Sequence, residues 1–260
     1  MEPSELRDMK AAHRVLALLD YPPVQVERGY ANRTLHVDLS TNRIEIRPVT
    51  PYMKEIFTGG KGFDLYLMWQ SIRGPIAWDD PANGLYFSAG PLGGTPYFSG
   101  SGKCLVTGIS PTTGSVMDCN VGGHFGPLLK FSGFDALEVR GKAEEFVLLA
   151  IDGDEHRVTI ETAPREPLNS YDLASSLHAM YARTPEELQS ISVVSAGEGA
   201  LHTLIGCLNV SFYDWKRGEP RLKQAGRGGL GTVMMHKNLK AIVARTVHNR
   251  PRWVLSVQAP

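Results

Sequence analysis

The sequence predicts an α+β fold built as two similar halves, each a mixed β-sheet with short helices. Segments with strand-like alternation or short apolar runs occur in clusters rather than in strict alternation with helices, which favours α+β over a doubly wound sheet. Several short sequence elements also recur about 105 residues apart, which indicates an internal duplication.

Composition sets the first limits on function. The chain has 260 residues, enough for one large domain or two small halves. Lys plus Arg and Asp plus Glu both number 27, so no net charge attracts nucleic acid or an anionic membrane. No apolar run approaches the roughly 20 residues of a membrane helix, and the N-terminal MEPSELRDMK lacks the features of a secretory signal. We therefore expect a soluble, cytoplasmic protein that binds neither nucleic acid nor membrane.

The cysteines and histidines predict no metal site of their own. Cys104, Cys119 and Cys207 are widely separated and include no C-x-x-C pair, so neither a disulfide framework nor a self-contained zinc or iron–sulfur site is indicated. The histidines include no H-x-x-x-H pair. We expect the cysteines to be small buried apolar residues.

The N-terminal segment predicts a helix over residues 4–19. Its apolar residues recur at helical spacing, Ser4 is a candidate N-cap, and Pro22 and Pro23 end the pattern. Such a helix either covers one face of the domain or docks a partner subunit through Leu6, Val15 and Leu16.

The next segments predict a hairpin and two helices. Residues 30–47 alternate apolar and polar side chains on either side of Ser40-Thr41-Asn42, which is typical of a hairpin. Residues 58–70 open with glycines and continue as a mostly apolar helix, and residues 170–183 also have a helical pattern. Further strands are predicted at residues 85–88, 103–107, 136–139, 146–151, 157–161, 191–194 and 239–244.

The internal duplication rests on three matches in nearly one register. Ser88-Ala89-Gly90 recurs as Ser195-Ala196-Gly197, Gly122-Gly123 as Gly228-Gly229, and Ala136-Leu137 as Ala241-Ile242, at offsets of 107, 106 and 105. Matches among small residues also arise by chance. A true duplication would place the two glycine turns near a pseudo-twofold axis, where they could together bind a ligand made of two similar halves.

Glycine-rich segments are the strongest local signal for a binding site. They are Gly59-Gly60-Lys61-Gly62, Gly90-Pro91-Leu92-Gly93-Gly94-Thr95, Ser99-Gly100-Ser101-Gly102-Lys103, Asn120-Val121-Gly122-Gly123 and Ala225-Gly226-Arg227-Gly228-Gly229-Leu230-Gly231. Glycine lets the backbone approach a ligand closely, so successive N–H groups can converge on phosphate oxygens. The cations in three of these segments could neutralise a phosphate.

Other chemistries fit less well. The spacing G-x-G-x-x-G occurs in residues 226–231, but the residues before it are polar rather than an apolar strand, so a dinucleotide site is weakly supported. There is no G-x-x-x-x-G-K-[ST] and no G-x-S-x-G. Asp118, Asn120 and His124 form a polar cluster that either holds a turn or moves protons.

Two long motifs stand out, GPLGGTPYFSGSGKCLVTGISPTTGSVMDCNVGGHFGPLLKFSGFDALEVRGKAE and QAGRGGLGTVMMHKNLKAIVAR. Both resemble the N-terminal domain of the aldehyde:ferredoxin oxidoreductases, the tungsten bis-pterin enzymes. The lead-in GYANRTLHVDLSTNRIEI and the segment FTGGKGFDLYL are similar to the family's opening hairpin and first glycine turn. The resemblance covers residues 30–245 and occurs in the family's order.

The resemblance implies a base for a metal held by two pyranopterin dithiolenes. Because the dithiolene sulfurs ligate the tungsten or molybdenum, the domain needs no cysteine or histidine ligand. A magnesium ion bridging the pterin phosphates would be held partly by the backbone carbonyls of Asn120 and Gln224. The pterins and their phosphates would be contacted by Lys103, Asn120, Gly122, Gly123, Lys223, Gln224, Arg227, Gly228 and Gly229.

The sequence also departs from the family pattern. Lys103 and Lys223 stand where arginine is usual, which keeps the charge but loses the bidentate fork. Residues 210–225 are a longer stretch than in the typical member, which puts the register at Lys223 and Gln224 in doubt. The family's iron–sulfur cluster and proton-transfer residues belong to later domains, and this chain ends at Pro260.

These observations define the expected organisation and function. We expect a helical extension (1–28), the family domain (29–246, with halves of about 29–141 and 142–246) and a tail (247–260). We expect a cofactor-binding subunit or domain of an oxidoreductase that converts aldehydes to carboxylic acids and passes electrons to ferredoxin. The iron–sulfur cluster would lie on a partner or missing domain, so this chain alone would be inactive. The alternative is a truncated, non-catalytic remnant or scaffold that binds a partner without metal.

Overall fold

The computed structural model describes residues 8–247, and its N-terminal segment forms a strand where the sequence predicted a helix. Strand β1 (Val15–Asp20) pairs antiparallel with β9 (Arg157–Thr162). Periodicity alone cannot distinguish a strand from a helix in so short an apolar run. The backbone N–H and C=O groups at the edge of β9 hydrogen-bond to β1. This tertiary pairing outweighs the helix preference suggested by the spacing of the apolar residues. The expected extension is therefore not helical throughout; within the described part, its helix is a single turn at residues 8–11.

Two of the three residues expected to dock a partner lie on β1 and differ in exposure. Leu6 lies outside the described residues, as do residues 248–260 of the expected tail. Val15 is 51% exposed, whereas Leu16 packs against the main core.

The first half of the chain forms a six-stranded mixed sheet. Its strands are β2 (Arg33–Asp38), β3 (Arg43–Pro48), β4 (Leu85–Ser88), β5 (Cys104–Ile109), β6 (Val116–Val121) and β7 (Ala136–Arg140). Their spatial order is β3-β2-β7-β4-β5-β6. Neighbours β2 and β7 are parallel, and the other neighbouring pairs are antiparallel. The predicted hairpin, β2 with β3, is confirmed.

The second half forms a seven-stranded sheet that includes β1. Its other strands are β8 (Val147–Asp152), β9, β10 (Ile191–Ser195), β11 (Leu208–Asp214), β12 (Glu219–Ala225) and β13 (Leu239–Arg245). Their spatial order is β1-β9-β8-β13-β10-β11-β12. Neighbours β8 and β13 are parallel, and the other pairs are antiparallel.

The two sheets have the same topology once β1 is set aside. In each sheet the first two strands form a hairpin, and the last strand lies parallel beside the first. The third, fourth and fifth strands follow the last strand in that order, each antiparallel to its neighbour. The strands β2 to β7 therefore correspond in order to β8 to β13. The predicted internal duplication and α+β class are both confirmed.

Helices occupy matching places in the two halves. They are α1 (Pro51–Phe57), α2 (Lys61–Ser71), α3 (Phe125–Phe131), α4 (Ser170–Tyr181) and α5 (Leu230–His236). Helices α2 and α4, both predicted, follow the hairpins, and α3 and α5 follow β6 and β12. The N-cap Asn169 starts α4 by accepting hydrogen bonds from the backbone N–H groups of Tyr171 and Asp172.

The main core lies between the two sheets and contains α3 and α5. Leu35 and Val37 of β2, Leu149 of β8, Phe125 of α3 and Val233 of α5 all belong to it. Separate apolar clusters pack α1 and α2 on the outer face of the first sheet and α4 on that of the second. The five layers place the N-termini of α3 and α5 between the sheets, where the glycine turns precede them.

Several cations are buried within these layers. Lys130 and Lys237 are 0% and 2% exposed. Lys237 donates hydrogen bonds to the carbonyl oxygens of Pro81 at 3.2 Å and Gly141 at 3.0 Å. Burial lowers the pKa of Lys237 to about 7, because a low-dielectric surrounding disfavours the charged form.

Lys237 predicts a specific pH dependence of stability. Native Lys237 loses its proton near pH 7, whereas the unfolded chain keeps it up to about pH 10.4. Unfolding therefore takes up a proton in this window, and the contribution of Lys237 to the free energy of unfolding rises with pH. Urea unfolding at pH 7 and pH 9 should show the wild type gaining about 2 kcal/mol relative to Lys237→Met. Parallel pH curves for the two proteins would contradict the prediction.

Candidate functional site

The candidate site is built from two copies of one unit, an edge strand, a glycine turn and a short helix. In the first half, β6 ends at Val121 and α3 begins at Phe125; in the second, β12 ends at Ala225 and α5 begins at Leu230. The second turn is thus one residue longer. Counting back from the helices, Gly123 corresponds to Gly228, which corrects by one residue the pairing expected from the sequence.

Each turn packs against the opposite half. A Cβ added to Gly123 would lie 2.7 Å from Val210 Cγ1 of β11, and one added to Gly228 would overlap the Met117 side chain of β6. The backbone N–H of His124 donates to the Ser211 carbonyl oxygen at 3.3 Å. Close approach of the two halves therefore accounts for glycine at these positions.

Other glycines in the turns face open space. A Cβ at Gly226 would have no atom within 4 Å, and one at Gly122 would meet only the Lys223 side chain, at 3.5 Å. The same openness is found at Gly90. Packing within the described residues does not require glycine here, so these positions leave room for a ligand. Gly226 was not among the predicted site residues.

The edge strands β6 and β12 lie against each other and form a seam between the halves. Asn120 and Gln224 are each the second-last residue of their strand, and both are exposed. Gln224 pairs with Asn209 of β11 in the ladder, and its side-chain amide donates to Asn209 Oδ1 at 3.3 Å. The long stretch over residues 210–225 forms the β11–β12 hairpin, which fixes the register of Lys223 opposite Val210.

Three predicted cations lie exposed along this region. Lys103 directly precedes β5, Lys223 lies on β12 with its Nζ 5.6 Å from the Phe212 ring centroid, and Arg227 lies in the second turn. Within residues 8–247 none of the three has an acidic partner within ion-pair distance. Their charge is available to an anion.

A cavity of about 300 Å³, called the first-half cavity below, opens beside Asn120 at the end of β6. Four of the five glycine-rich segments contribute residues to it, and the lining residues are Thr58, Gly59, Gly60, Lys61, Ser88, Ala89, Gly90, Pro91, Lys103, Cys104, Leu105 and Asn120. Sequence reasoning selected Lys103 and Asn120 but missed Ser88 and the wall formed by Gly90 and Pro91 as part of one site. The repeated Ser-Ala-Gly was the available signal.

The polar cluster noted in the sequence is distributed over two elements, with Asp118 and Asn120 on β6 and His124 at the N-terminus of α3. Asp118 forms an ion pair with Lys61 at 2.6 Å. The exposed His124 side chain stands at the start of α3, with its ring 5.8 Å from that of Phe212. This ion pair joins Asp118 of β6 to the first residue of α2.

The second glycine turn does not form a dinucleotide-binding unit. The strand before it, β12, is polar, pairs antiparallel with β11 and is not a neighbour of β13. In the part of the chain described, no three His, Cys, Asp or Glu side chains group as metal ligands, and no helix there is long and apolar enough to cross a membrane. Cys104 is buried, as expected, while Cys119 and Cys207 are partly exposed.

Comparison with known proteins gives one consistent result. Residues 34–246 match the aldehyde ferredoxin oxidoreductase N-terminal domain. The chain is 34% identical over 82% of its length to the tungsten-containing aldehyde ferredoxin oxidoreductase of Pyrococcus furiosus, and 33% identical over 84% to that of Pyrococcus horikoshii. It covers 33% of each of these relatives.

More distant relatives have other names. An aliphatic sulfonate oxidoreductase, WOR-like subunit, of Pyrococcus furiosus is 28% identical over 84% of the chain and is covered to 34%. A solved structure, the active site complex BamBC of benzoyl coenzyme A reductase with 1,5-dienoyl-CoA, superposes with a TM-score of 0.71 at 28% identity. It aligns over 84% of this chain and 31% of that chain. The chain therefore belongs to the aldehyde ferredoxin oxidoreductase family, and residues 34–246 match its N-terminal domain.

Proposed function

We propose that this chain is the base that holds a tungsten or molybdenum bis-pyranopterin cofactor in an oxidoreductase. The observation that carries the proposal is the repeated strand, turn and helix unit, whose two copies meet at the β6–β12 seam beside cations that have no acidic partner among residues 8–247. A ligand with two similar halves and two phosphates fits such a site. We assign the domain to residues 29–246, with halves at about 29–141 and 142–246.

The residues at the seam fit the phosphate ends of the cofactor. Lys103, Lys223 and Arg227 would neutralise the phosphates, and the backbone carbonyls of Asn120 and Gln224 would hold a bridging magnesium ion. Gly122 lies open beside them, while Gly123, Gly228 and Gly229 keep the two turns close to the opposite half. When bound, the cofactor supplies a redox-active metal held by its own dithiolene sulfurs, and the chain supplies position and charge.

The proposed reaction is that for which the tungsten-containing relatives are named. We propose oxidation of aldehydes to carboxylic acids, with electrons passed through an iron–sulfur cluster to a ferredoxin-type acceptor in the cytoplasm. The cluster would be held by a partner subunit or by the rest of the enzyme, because the chain covers only a third of its tungsten-containing relatives. On its own the chain would bind the cofactor without turning over a substrate.

Metal and pterin analysis of the protein purified from its own host tests this function. We expect one tungsten or molybdenum atom and two pterins for each chain, measured by plasma mass spectrometry and by fluorescence of the oxidised pterin. A folded protein purified with its natural partners, yet without metal or pterin, would contradict the proposal and favour the non-catalytic scaffold.

A further inference from the structure

A buried lysine of α3 lies directly behind the wall of the first-half cavity. Lys130 is 0% exposed, and its Nζ donates hydrogen bonds to the carbonyl oxygens of Gly29 and Gly90, both at 2.6 Å. Its Nζ also lies 3.7 Å from a carboxylate oxygen of Asp135, which is 1% exposed. A buried cation needs such partners because its desolvation is costly.

Asp135 extends the same connection to the chain before β2. Its two carboxylate oxygens accept hydrogen bonds from the backbone N–H groups of Ala31 at 3.0 Å and Asn32 at 2.8 Å. Gly29 itself lies against the cavity wall, since a Cβ there would overlap the Pro91 carbonyl oxygen. The Lys130–Asp135 pair thus ties residues 29–32 to the turn that begins at Gly90.

Backbone hydrogen bonds continue from this turn towards Lys103. Gly93 N–H donates to the Gly90 carbonyl oxygen at 2.8 Å, and Gly94 N–H donates to that of Ser101, also at 2.8 Å. Lys103 N–H in turn donates to the Gly100 carbonyl oxygen at 3.0 Å. Because these hydrogen bonds link Gly90 to the segment before Lys103, a movement of Gly90 would shift both the cavity wall and Lys103, the cation proposed to bind phosphate.

We propose that Lys130 is a positioning residue that holds the loop over residues 90–95 in place and so sets the wall of the cavity. It touches no ligand itself and acts through the Gly90 carbonyl. The ligand's identity as a pterin phosphate rests on the proposed function, whereas the positioning of the loop does not.

Lys237, directly after α5 in the second half, provides a matched control. It is also buried, and its ammonium group also donates to two backbone carbonyls, those of Pro81 and Gly141. Neither carbonyl belongs to a residue that lines the first-half cavity. Replacing either lysine with methionine removes a buried amino group and its two hydrogen bonds to backbone carbonyls, but only Lys130→Met removes the bond to Gly90.

Hydrogen exchange of the full chain tests the positioning role. We expect the amides of Gly93 and Gly94 to exchange at least about tenfold faster in Lys130→Met, because their hydrogen bonds lose support and open locally. In Lys237→Met they should exchange within about threefold of the wild type. Lys130→Gln, which retains an amide donor, should give an intermediate exchange rate at these two amides. If the methionine variant does not fold, Lys130→Gln is compared with the wild type instead.

The proposal is overturned if Lys130→Met leaves these amides unchanged, or if Lys237→Met accelerates them equally. A second measurement, calorimetric titration with inorganic pyrophosphate, should show at least about tenfold weaker binding in Lys130→Met, as expected for the loss of roughly 1.4 kcal/mol. If the wild type binds no pyrophosphate while loop exchange still responds, the proposed function fails and the positioning role stands.

Discussion

Replacing Lys103 and Lys223 together with glutamine is expected to weaken the binding of pyrophosphate, and of the cofactor phosphates, by about 100-fold or more. Both side chains are exposed and lack acidic partners in the described residues, so their charge is free for a ligand. Each charge-assisted hydrogen bond contributes about 1.5–3 kcal/mol, and two lost bonds give roughly 3 kcal/mol at the lower limit. Calorimetry with pyrophosphate and the tungsten content of the purified protein measure the effect.

A double variant with the same change in charge provides the control. Lys142 and Lys216 are exposed, and Lys142 follows β7 whereas Lys216 lies at the tip of the β11–β12 hairpin. Their replacement with glutamine should leave affinity and metal content within about twofold, because screened surface charges away from a site have little effect on it. Equal losses in the two double variants would show that net charge, rather than the seam, determines binding.

Replacing Gly229 with alanine is expected to lower the free energy of unfolding by about 3–4 kcal/mol. Gly229 has φ +68°, which costs an L-residue about 1–2 kcal/mol. The added methyl group would also overlap the Leu204 carbonyl oxygen and approach Pro111 Cγ to 2.8 Å. Such overpacking costs a further 1–3 kcal/mol or so. Urea unfolding monitored by circular dichroism measures the change.

Gly226→Ala is the matched control three residues earlier in the same turn. A Cβ at Gly226 meets no atom within 4 Å, so the free energy of unfolding should change by about 0.5 kcal/mol or less. If the open space holds the cofactor, this variant should nevertheless contain less metal. Equal destabilisation by both substitutions would contradict the distinction between packing glycines and open glycines.

The sequence predicted most of the buried strands, although it missed the largely buried β11 and found the half-exposed β3 through its alternation. Strands β4, β8, β10 and β13 have apolar runs typical of a sheet interior, and the structure buries them almost completely. The missed strands include β6 and β12, whose sequences VMDCNV and EPRLKQA contain polar residues and are mostly half-buried or exposed. Both are edge strands, where the usual alternation weakens and Pro220 is tolerated.

The glycine turns were located from the sequence, but their separate roles were not. Gly123 and Gly228 are explained by contacts with residues about 90 to 110 positions away in sequence, which only the fold brings together. Lys130 gave no local signal for the same reason, because its partners Gly29 and Gly90 are remote in sequence. The duplication was visible because small residues recurred in one register.

The position of the metal most directly tests whether the two halves together form one binding site for the cofactor. Crystals of the complete enzyme can be measured on both sides of the tungsten or molybdenum X-ray absorption edge. The anomalous difference map should place a single metal peak over the β6–β12 seam, with density for one pterin phosphate near Lys103 and the other near Lys223 and Arg227. A metal bound away from the seam, or one contacted by only one half of the chain, would contradict the account.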